Sequence, residues 1–261
     1  MSRPTGDVIL DVRGISLSFG GVKALTDISF DVRKHEIRSI IGPNGAGKSS
    51  LLNCINGIYV PQQGSIRFRG QEFTRRNSRQ IAAQGIARTF QNLALFKGMS
   101  VIDNIMTGRN MKIRSNVLQQ AVWLGRACRE EVQHRRFVEE IIDFLEIQSH
   151  RKTPVGQLPY GLQKRVDLGR ALAMEPQLLL LDEPMAGMST EEKHDMSRFI
   201  LDVNDEFGTT MVLIEHDMSI VMDISDRVVV LDYGKKIGDG IPADVRNNQE
   251  VIDAYLGSSS E

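Results

Sequence analysis

The residues Gly42-Pro43-Asn44-Gly45-Ala46-Gly47-Lys48-Ser49 fit the pattern GxxxxGK[ST] without mismatch. A loop of this kind can hold a phosphate chain. Its glycines let successive backbone N–H groups turn inward, the helix that follows adds its dipole, and the lysine brings a point charge to the β- and γ-phosphates. The Ser49 hydroxyl can then ligate Mg²⁺. Phosphoryl chemistry also needs a second metal contact and a group that activates water. Asp182 and Glu183 follow four leucines, 178–181, in a run that reads as a buried strand. Asp182 therefore emerges at a strand's carboxyl edge, where ligands bind in open α/β sheets, and can hold Mg²⁺ through water. Glu183, one residue further, is placed to polarise an attacking water as general base. A bare glycine turn and a helix-start pair of acids are the competing readings. The flanking strand and helix weigh against the first, and the phosphate loop weighs against the second.

These residues need elements to position them. Short β-branched runs at 8–12, 28–32, 37–41, 65–69, 178–181, 210–214 and 227–231 predict strands. The runs 37–41, 178–181, 210–214 and 228–231 are too evenly apolar to be half-exposed. They read as buried parallel strands, each followed by a Gly, Asp or His turn and then a polar-periodic helix. Residues 48–55 form the helix that the phosphate loop opens. The stretches 16–21 and 30–34 alternate and turn quickly, so a small antiparallel β subdomain is predicted at 7–35 and 64–73. Over about 100–157 the strand signal vanishes, and Phe137, Ile141, Ile142, Phe144 and Leu145 mark one face of an amphipathic helix. That region is a helical insert. Its stretch 126–136 mixes charges of both signs and reads as a solvated helix face.

Composition excludes several classes. The chain has 261 residues, 41% hydrophobic and 25% charged, as an ordinary globular protein does. Thirty-two Lys+Arg against 33 Asp+Glu leave a net charge of -1, with no global pull toward nucleic acid or anionic lipid. Phosphate binding must then be local. Uninterrupted apolar runs reach about five residues against roughly 20 for a membrane span, and the first residues lack a signal-peptide core, so the chain is expected inside the cell. Cys54 and Cys128 form neither a disulfide framework nor a CxxC knuckle and are expected to be buried thiols.

Taken in order, the motifs resemble the ATP-binding subunit of an ABC transporter over about 10–255, nearly the whole chain. The resemblance implies an α/β P-loop NTPase of ABC type, with a mostly parallel core sheet, an antiparallel β subdomain and a helical subdomain. One ABC ATPase domain is expected at 7–257, with the helical subdomain at about 92–175 and a disordered tail at 258–261. ATP and Mg²⁺ are the implied cofactors, with Gly42, Asn44, Gly45, Gly47, Lys48, Ser49 and Ser50 around the phosphates. Phe19, in Ser-Phe-Gly-Gly, resembles the aromatic residue that stacks on adenine; a core phenylalanine is the alternative. Gln91, in Arg-Thr-Phe-Gln, falls where the family carries the glutamine that touches Mg²⁺ and water and hinges the helical insert. His216, in Ile-Glu-His-Asp, resembles the switch histidine that bonds the γ-phosphate; a satisfied core histidine is the alternative.

Leu158-Pro159-Tyr160-Gly161-Leu162-Gln163 matches the position of the family's signature, which caps the nucleotide bound by the opposite subunit. Pro159 stands where the family has a serine and offers neither hydroxyl nor N–H. Tyr160, Gly161 and the dipole of a helix over 163–174 remain to bind in trans. A second departure is Ser189, where many members have aspartate; with Glu192 it predicts a capping box.

The resemblance also implies a machine. Each ATP lies between two cassettes, so a second ABC cassette, as homo- or heterodimer, is an expected partner. Transmembrane permease subunits and, indirectly, a periplasmic or extracellular solute-binding protein are the others, with no nucleic acid. The chain is expected in the cytoplasm, peripheral on the inner face of the membrane through the permease. Within the family the resemblance is to subunits of branched-chain amino-acid uptake and the related amide and urea systems. Three stretches carry it: 19–25, 182–188, and the insert at 123–136 with Ala127-Cys128-Arg129-Glu130-Glu131. An exporter or lipopolysaccharide-transport cassette is the alternative, and the long insert speaks against it. A soluble non-transport ABC protein needs paired cassettes or a long coiled-coil insertion, and the sequence has neither.

Overall fold

The computed structural model of the chain describes residues 6–112 and 126–257. Trp123, the side chain of Cys128 and the tail at 258–261 lie outside the described residues. The chain opens with a long antiparallel pair, β1 (Val8–Phe19) and β2 (Val22–Arg33), turned at Gly20 and Gly21. Both glycines have positive φ, 51° and 91°, as a two-residue hairpin turn that matches the strand twist requires. β3 (Ile37–Ile41), α1 (Lys48–Ile55), β4 (Gln63–Phe68), β5 (Gln71–Glu72), α2 (Ser78–Ala83) and β6 (Ile86–Arg88) follow. The helical region holds α3 (Val101–Met106), α4 (Arg126–Phe144) and α5 (Tyr160–Leu172). The chain then alternates through β7 (Leu178–Asp182), α6 (Thr190–Phe207), β8 (Thr210–Ile214), α7 (Met218–Ile224) and β9 (Arg227–Asp232). It closes with β10 (Lys235–Gly240), α8 (Pro242–Arg246) and α9 (Gln249–Gly257).

Two sheets result. An antiparallel sheet runs β2-β1-β4-β5, and a second sheet runs β10-β9-β3-β8-β7-β6, parallel except for the β9–β10 pair. The apolar runs are explained by burial on both faces of the second sheet. Leu178, Leu180, Val212 and Ile214 pack into a core shared with β1, β2 and α1. Leu179, Leu181, Met211 and Leu213 point the other way, into a core shared with α3, α4 and α5. Ile141, Ile142 and Leu145 are buried there, with Phe137 and Phe144 packed against them, so the predicted apolar face of α4 meets the sheet. Cys54 is buried and unpaired in the first core, and burial pushes its thiol up to about 12.

Two expectations are corrected. A helix is expected after 228–231, but β9 is followed by a hairpin into β10. Tyr233 and Gly234 have φ of 42° and 73°, which turns the chain back on itself, and Lys236 and Asp239 pair with Leu231 and Val229. The signature helix is expected over 163–174 and instead spans Tyr160–Leu172. Pro159 is its N-cap, and its carbonyl accepts the Gln163 N–H at 3.1 Å, so the helix begins directly after the proline, whose missing N–H costs nothing there.

The parallel register sets up the site. Ile40 lies beside Ile214, and Asp182 lies beside the same residue on the other side. The carboxyl ends of β3, β7 and β8 thus share one edge, which places the segments beginning at Gly42, Glu183 and Glu215 together.

Candidate functional site

The phosphate loop leaves β3 and enters α1 with three left-handed or near-extended glycines, Gly42, Gly45 and Gly47, at φ of 150°, 79° and 98°. A Cβ on Gly47 would lie 2.7 Å from the Ala24 carbonyl oxygen, so packing as well as φ requires glycine there. A Cβ on Gly45 would meet nothing within 4 Å, because this part of the loop faces open space. That is the concavity into which backbone N–H groups can present a phosphate. Lys48 is buried and folds back over its own loop, donating to the carbonyls of Gly42 at 2.7 Å and Pro43 at 2.9 Å. Burial pulls its ammonium below the ordinary range, opposed by the carboxylates of Glu183 and Asp182. A cation flanked by two acids is attractive to a phosphate only once those acids have partners of their own.

Both acids have them. Asp182 accepts from Arg88 Nη2 at 2.7 Å, and Arg88 Nη1 donates to Asn53 Oδ1 at 2.6 Å. The other Asp182 oxygen, Oδ1, is buried with no hydrogen-bond partner. An unsatisfied buried carboxylate oxygen is costly, so this position fits a ligand that supplies a proton or a positive charge. Ser49, Gln91 and Asp182 line one cavity of about 350 Å³. Hydroxyl, carboxylate and amide oxygens suit a hard divalent cation that keeps several waters. Among the described residues no group of three or more His, Cys, Asp or Glu gathers to hold a metal.

Glu183 sits at φ 50°, a conformation that costs a residue with a Cβ on the order of 1–3 kcal/mol and persists only when its surroundings fix it. They do so from several sides. Its N–H donates to the Ile214 carbonyl at 2.9 Å and its carbonyl accepts from Lys164 Nζ at 3.2 Å. One carboxylate oxygen accepts from Gln91 Nε2 at 2.7 Å, and the other accepts from His216 Nε2. Glu215 supports this cluster from behind: it accepts the N–H groups of Met185 at 2.8 Å and His216 at 3.1 Å, and its burial raises its own pKa.

The structure therefore brings together Gly42, Asn44, Gly45, Gly47, Lys48, Ser49, Ser50, Gln91, Asp182, Glu183 and His216 at one sheet edge. Phe19 stands apart at the end of β1, 45% exposed, with its ring edge-on to Tyr59 at 5.0 Å. That exposure excludes the core-phenylalanine alternative. His216 is 41% exposed in its side chain and is not a core histidine either. Tyr160 and Gly161, at the start of α5, line neither cavity beside the phosphate loop. Tyr160 is 43% exposed, and a Cβ on Gly161 would lie 2.1 Å from Glu192 Oε1, whose carboxylate closes the Ser189 capping box by accepting the Ser189 N–H at 2.8 Å. Sequence reasoning missed Arg88, Asn53, Lys164, Glu215 and Tyr59. Arg88 begins the same Arg-Thr-Phe-Gln stretch that drew attention to Gln91, and Glu215 precedes His216, so proximity to a motif was the available signal. Lys164 gave none, since its burial depends on the packing of α5 against the sheet.

A strand, glycine loop and helix holding a buried lysine, with two acids and a histidine at or just past the carboxyl ends of the neighbouring strands, define a nucleotide-binding P-loop protein. The ABC transporter family model matches residues 25–186, and a model of branched-chain amino acid ATP-binding cassette transporters matches residues 235–261. The high-affinity branched-chain amino acid transport ATP-binding protein BraF of Pseudomonas aeruginosa is 36% identical, over 99% of this chain and 100% of the relative. The corresponding LivG protein of Escherichia coli is 37% identical, over 99% and 100%. Among solved structures, an ATP-binding cassette of an ABC transporter in its ADP conformation superposes with a TM-score of 0.84 at 30% identity, over 96% of this chain and 99% of that one. A nucleotide-free cassette gives 0.83 at 29% identity, over 95% and 99%. The chain belongs to the ABC transporter family and is one of its ATP-binding cassettes.

Proposed function

We propose that this chain hydrolyses ATP with Mg²⁺ and, paired with a second cassette, powers a membrane permease importing branched-chain amino acids or related small amides. The observation that carries the hydrolytic step is the Glu183 carboxylate, held between Gln91 and His216 directly after Asp182. Lys48 and the loop N–H groups from Gly45 to Ser50 bind and orient the phosphates. Ser49, Gln91 and Asp182 would hold Mg²⁺, which when bound neutralises charge on the phosphate oxygens. Glu183 accepts a proton from a water whose oxygen attacks the terminal phosphorus, as the bond to the ADP oxygen breaks. In the arrangement described each Glu183 oxygen accepts one hydrogen bond, which leaves a lone pair on each to receive a proton from water. His216 and Gln91 hold the carboxylate in place and are themselves near enough to the loop to meet the phosphate.

The place of the signature segment supports pairing. Tyr160 is exposed at the start of α5, Gly161 beside it is buried, and neither lines a cavity beside this chain's own phosphate loop, which supports the reading that the segment serves a nucleotide held by another cassette, a copy or a relative. No helix among the described residues is long and apolar enough to cross a membrane. The reading that the cassette meets the cytoplasmic face of the membrane through permease subunits is supported by the transport role stated for its relatives. The branched-chain amino-acid assignment is supported by the relatives' stated transport role and by the C-terminal match.

Pro159 bears on turnover. As N-cap it has no side-chain bond to the helix, whereas serine caps well and restores an N–H. Pro159→Ser is expected to leave ATP turnover unchanged or raise it up to about threefold, an effect worth less than one kcal/mol. A tenfold loss in a steady-state phosphate-release assay would mean that the proline shapes the loop itself. The function is tested on the complex purified from membranes with its partners. Leucine, isoleucine or valine, supplied with the solute-binding protein, should raise phosphate release several-fold over unrelated solutes; equal rates with all solutes would remove the assignment.

A further inference from the structure

Lys164 directly follows the signature segment on α5 and is 4% exposed. A buried ammonium is costly unless it is hydrogen-bonded. Its Nζ donates to the Gln91 carbonyl and to the Glu183 carbonyl, each at 3.2 Å. The side chains of the same two residues meet in turn, with Gln91 Nε2 donating to Glu183 Oε2 at 2.7 Å. Lys164 thus closes a ring that runs from the Gln91 backbone through the ammonium to the Glu183 backbone, and back through carboxylate and amide. Such a ring fixes the two side chains relative to each other. Glu183 needs it most, because its φ of 50° persists only where its surroundings hold it. Two contacts join the ring to the rest of α5. The Lys164 ammonium stands 5.6 Å from the centre of the Tyr160 ring, four residues earlier at the start of the helix. Arg170, six residues later, donates to the Ala94 carbonyl and, at 2.6 Å, to the buried Asp167 carboxylate. The helix therefore grips the segment 91–94 at two points. Lys164 lines neither cavity beside the phosphate loop, so its reach into the chemistry is through Glu183 and Gln91 rather than through the nucleotide.

We propose that Lys164 is a positioning residue for hydrolysis: from the signature helix it holds the backbones of Glu183 and Gln91 so that the Glu183 carboxylate faces the attacking water. This rests on the reading of Glu183 as the general base. Without the ammonium both carbonyls lose this donor, and Glu183 can relax out of its strained conformation. The base is then misplaced while the groups that bind the phosphates are untouched, so the loss falls on kcat and not on ATP affinity. Because Lys164 acts through Glu183, it has little left to act on once the carboxylate is gone.

Lys164→Met keeps the apolar stem and removes the donors. It is compared with the wild-type chain, with Glu183→Gln and with the double variant, in the complex purified from membranes, by titration with a fluorescent ATP analogue and by steady-state phosphate release. Lys164→Met should bind ATP within about twofold of wild type and lower kcat about 5- to 100-fold, as a misplaced base does. Added to Glu183→Gln, it should slow phosphate release by no more than about twofold further. Lys164→Arg, which keeps a charged donor beside both carbonyls, should retain at least about a fifth of wild-type kcat and carries the test if Lys164→Met does not assemble. Wild-type kcat in Lys164→Met, a loss of affinity with kcat in place, the full Lys164→Met loss repeated in the Glu183→Gln background, or less than that fifth in an assembled Lys164→Arg would each overturn the proposal. Wild-type turnover in Glu183→Gln alone would instead overturn the reading of the base on which the proposal stands.

Discussion

Glu183→Gln is expected to bind ATP at close to wild-type affinity and to release phosphate about 100- to 10,000-fold more slowly, the usual range for loss of a general base. The substitution keeps shape and polarity. A glutamine can still meet Gln91 and His216 through one amide oxygen and one amide nitrogen, and the backbone anchors at the Ile214 carbonyl and Lys164 are untouched. What it cannot do is take a proton from water. It also removes one of the two carboxylates that face Lys48, which makes the loop no less attractive to phosphate. Parallel measurement of ATP affinity and steady-state phosphate release checks the role. Turnover within a few-fold of wild type would show that another group activates the water.

Lys48→Ala is expected to lower ATP affinity by about 10- to 100-fold, since hydrogen bonds to charged groups are worth roughly 1.5–3 kcal/mol. Two effects act in the same direction. The phosphates lose a point charge, and the carboxylates of Asp182 and Glu183 lose the cation that offsets them at the loop. Without nucleotide the cost is small, because Lys48 donates only to the carbonyls of Gly42 and Pro43, which line a cavity of about 850 Å³ where water can replace it. The alanine variant should therefore unfold close to the wild-type temperature while binding ATP poorly. Affinity within twofold of wild type, read by nucleotide titration, would place the phosphates elsewhere.

How far the sequence reveals this molecule depends on how local each signal is. The strands at 37–41, 178–181 and 210–214 are legible because burial on both sheet faces demands unbroken apolar runs, and side chains of alternate parity do enter different cores. β10 is not legible: Lys235, Lys236, Gly238, Asp239 and Gly240 carry no apolar pattern, and the strand exists as an edge held by its hairpin turn and by Arg38 pairing with Asp239. The start of α5 lies three residues before its expected position because a proline can serve as N-cap as well as helix breaker. In the site, the phosphate loop and the Asp182-Glu183 pair are contiguous stretches whose chemistry can be recognised in place. Arg88 gains its meaning only from Asp182, 94 residues away, and Lys164 only from the carbonyls of Gln91 and Glu183. Contacts made across such separations leave no trace in spacing or periodicity.

The central claim is that hydrolysis at Glu183 drives amino-acid uptake. It is tested most directly by ATP-dependent uptake of labelled leucine into vesicles carrying the assembled transporter, with either the wild-type chain or Glu183→Gln. The wild-type vesicles should accumulate leucine with ATP and not with ADP, and the variant should lose at least nine-tenths of that uptake while still binding ATP. Equal accumulation with both chains, or none with the wild-type chain in a complex that hydrolyses ATP, would contradict it.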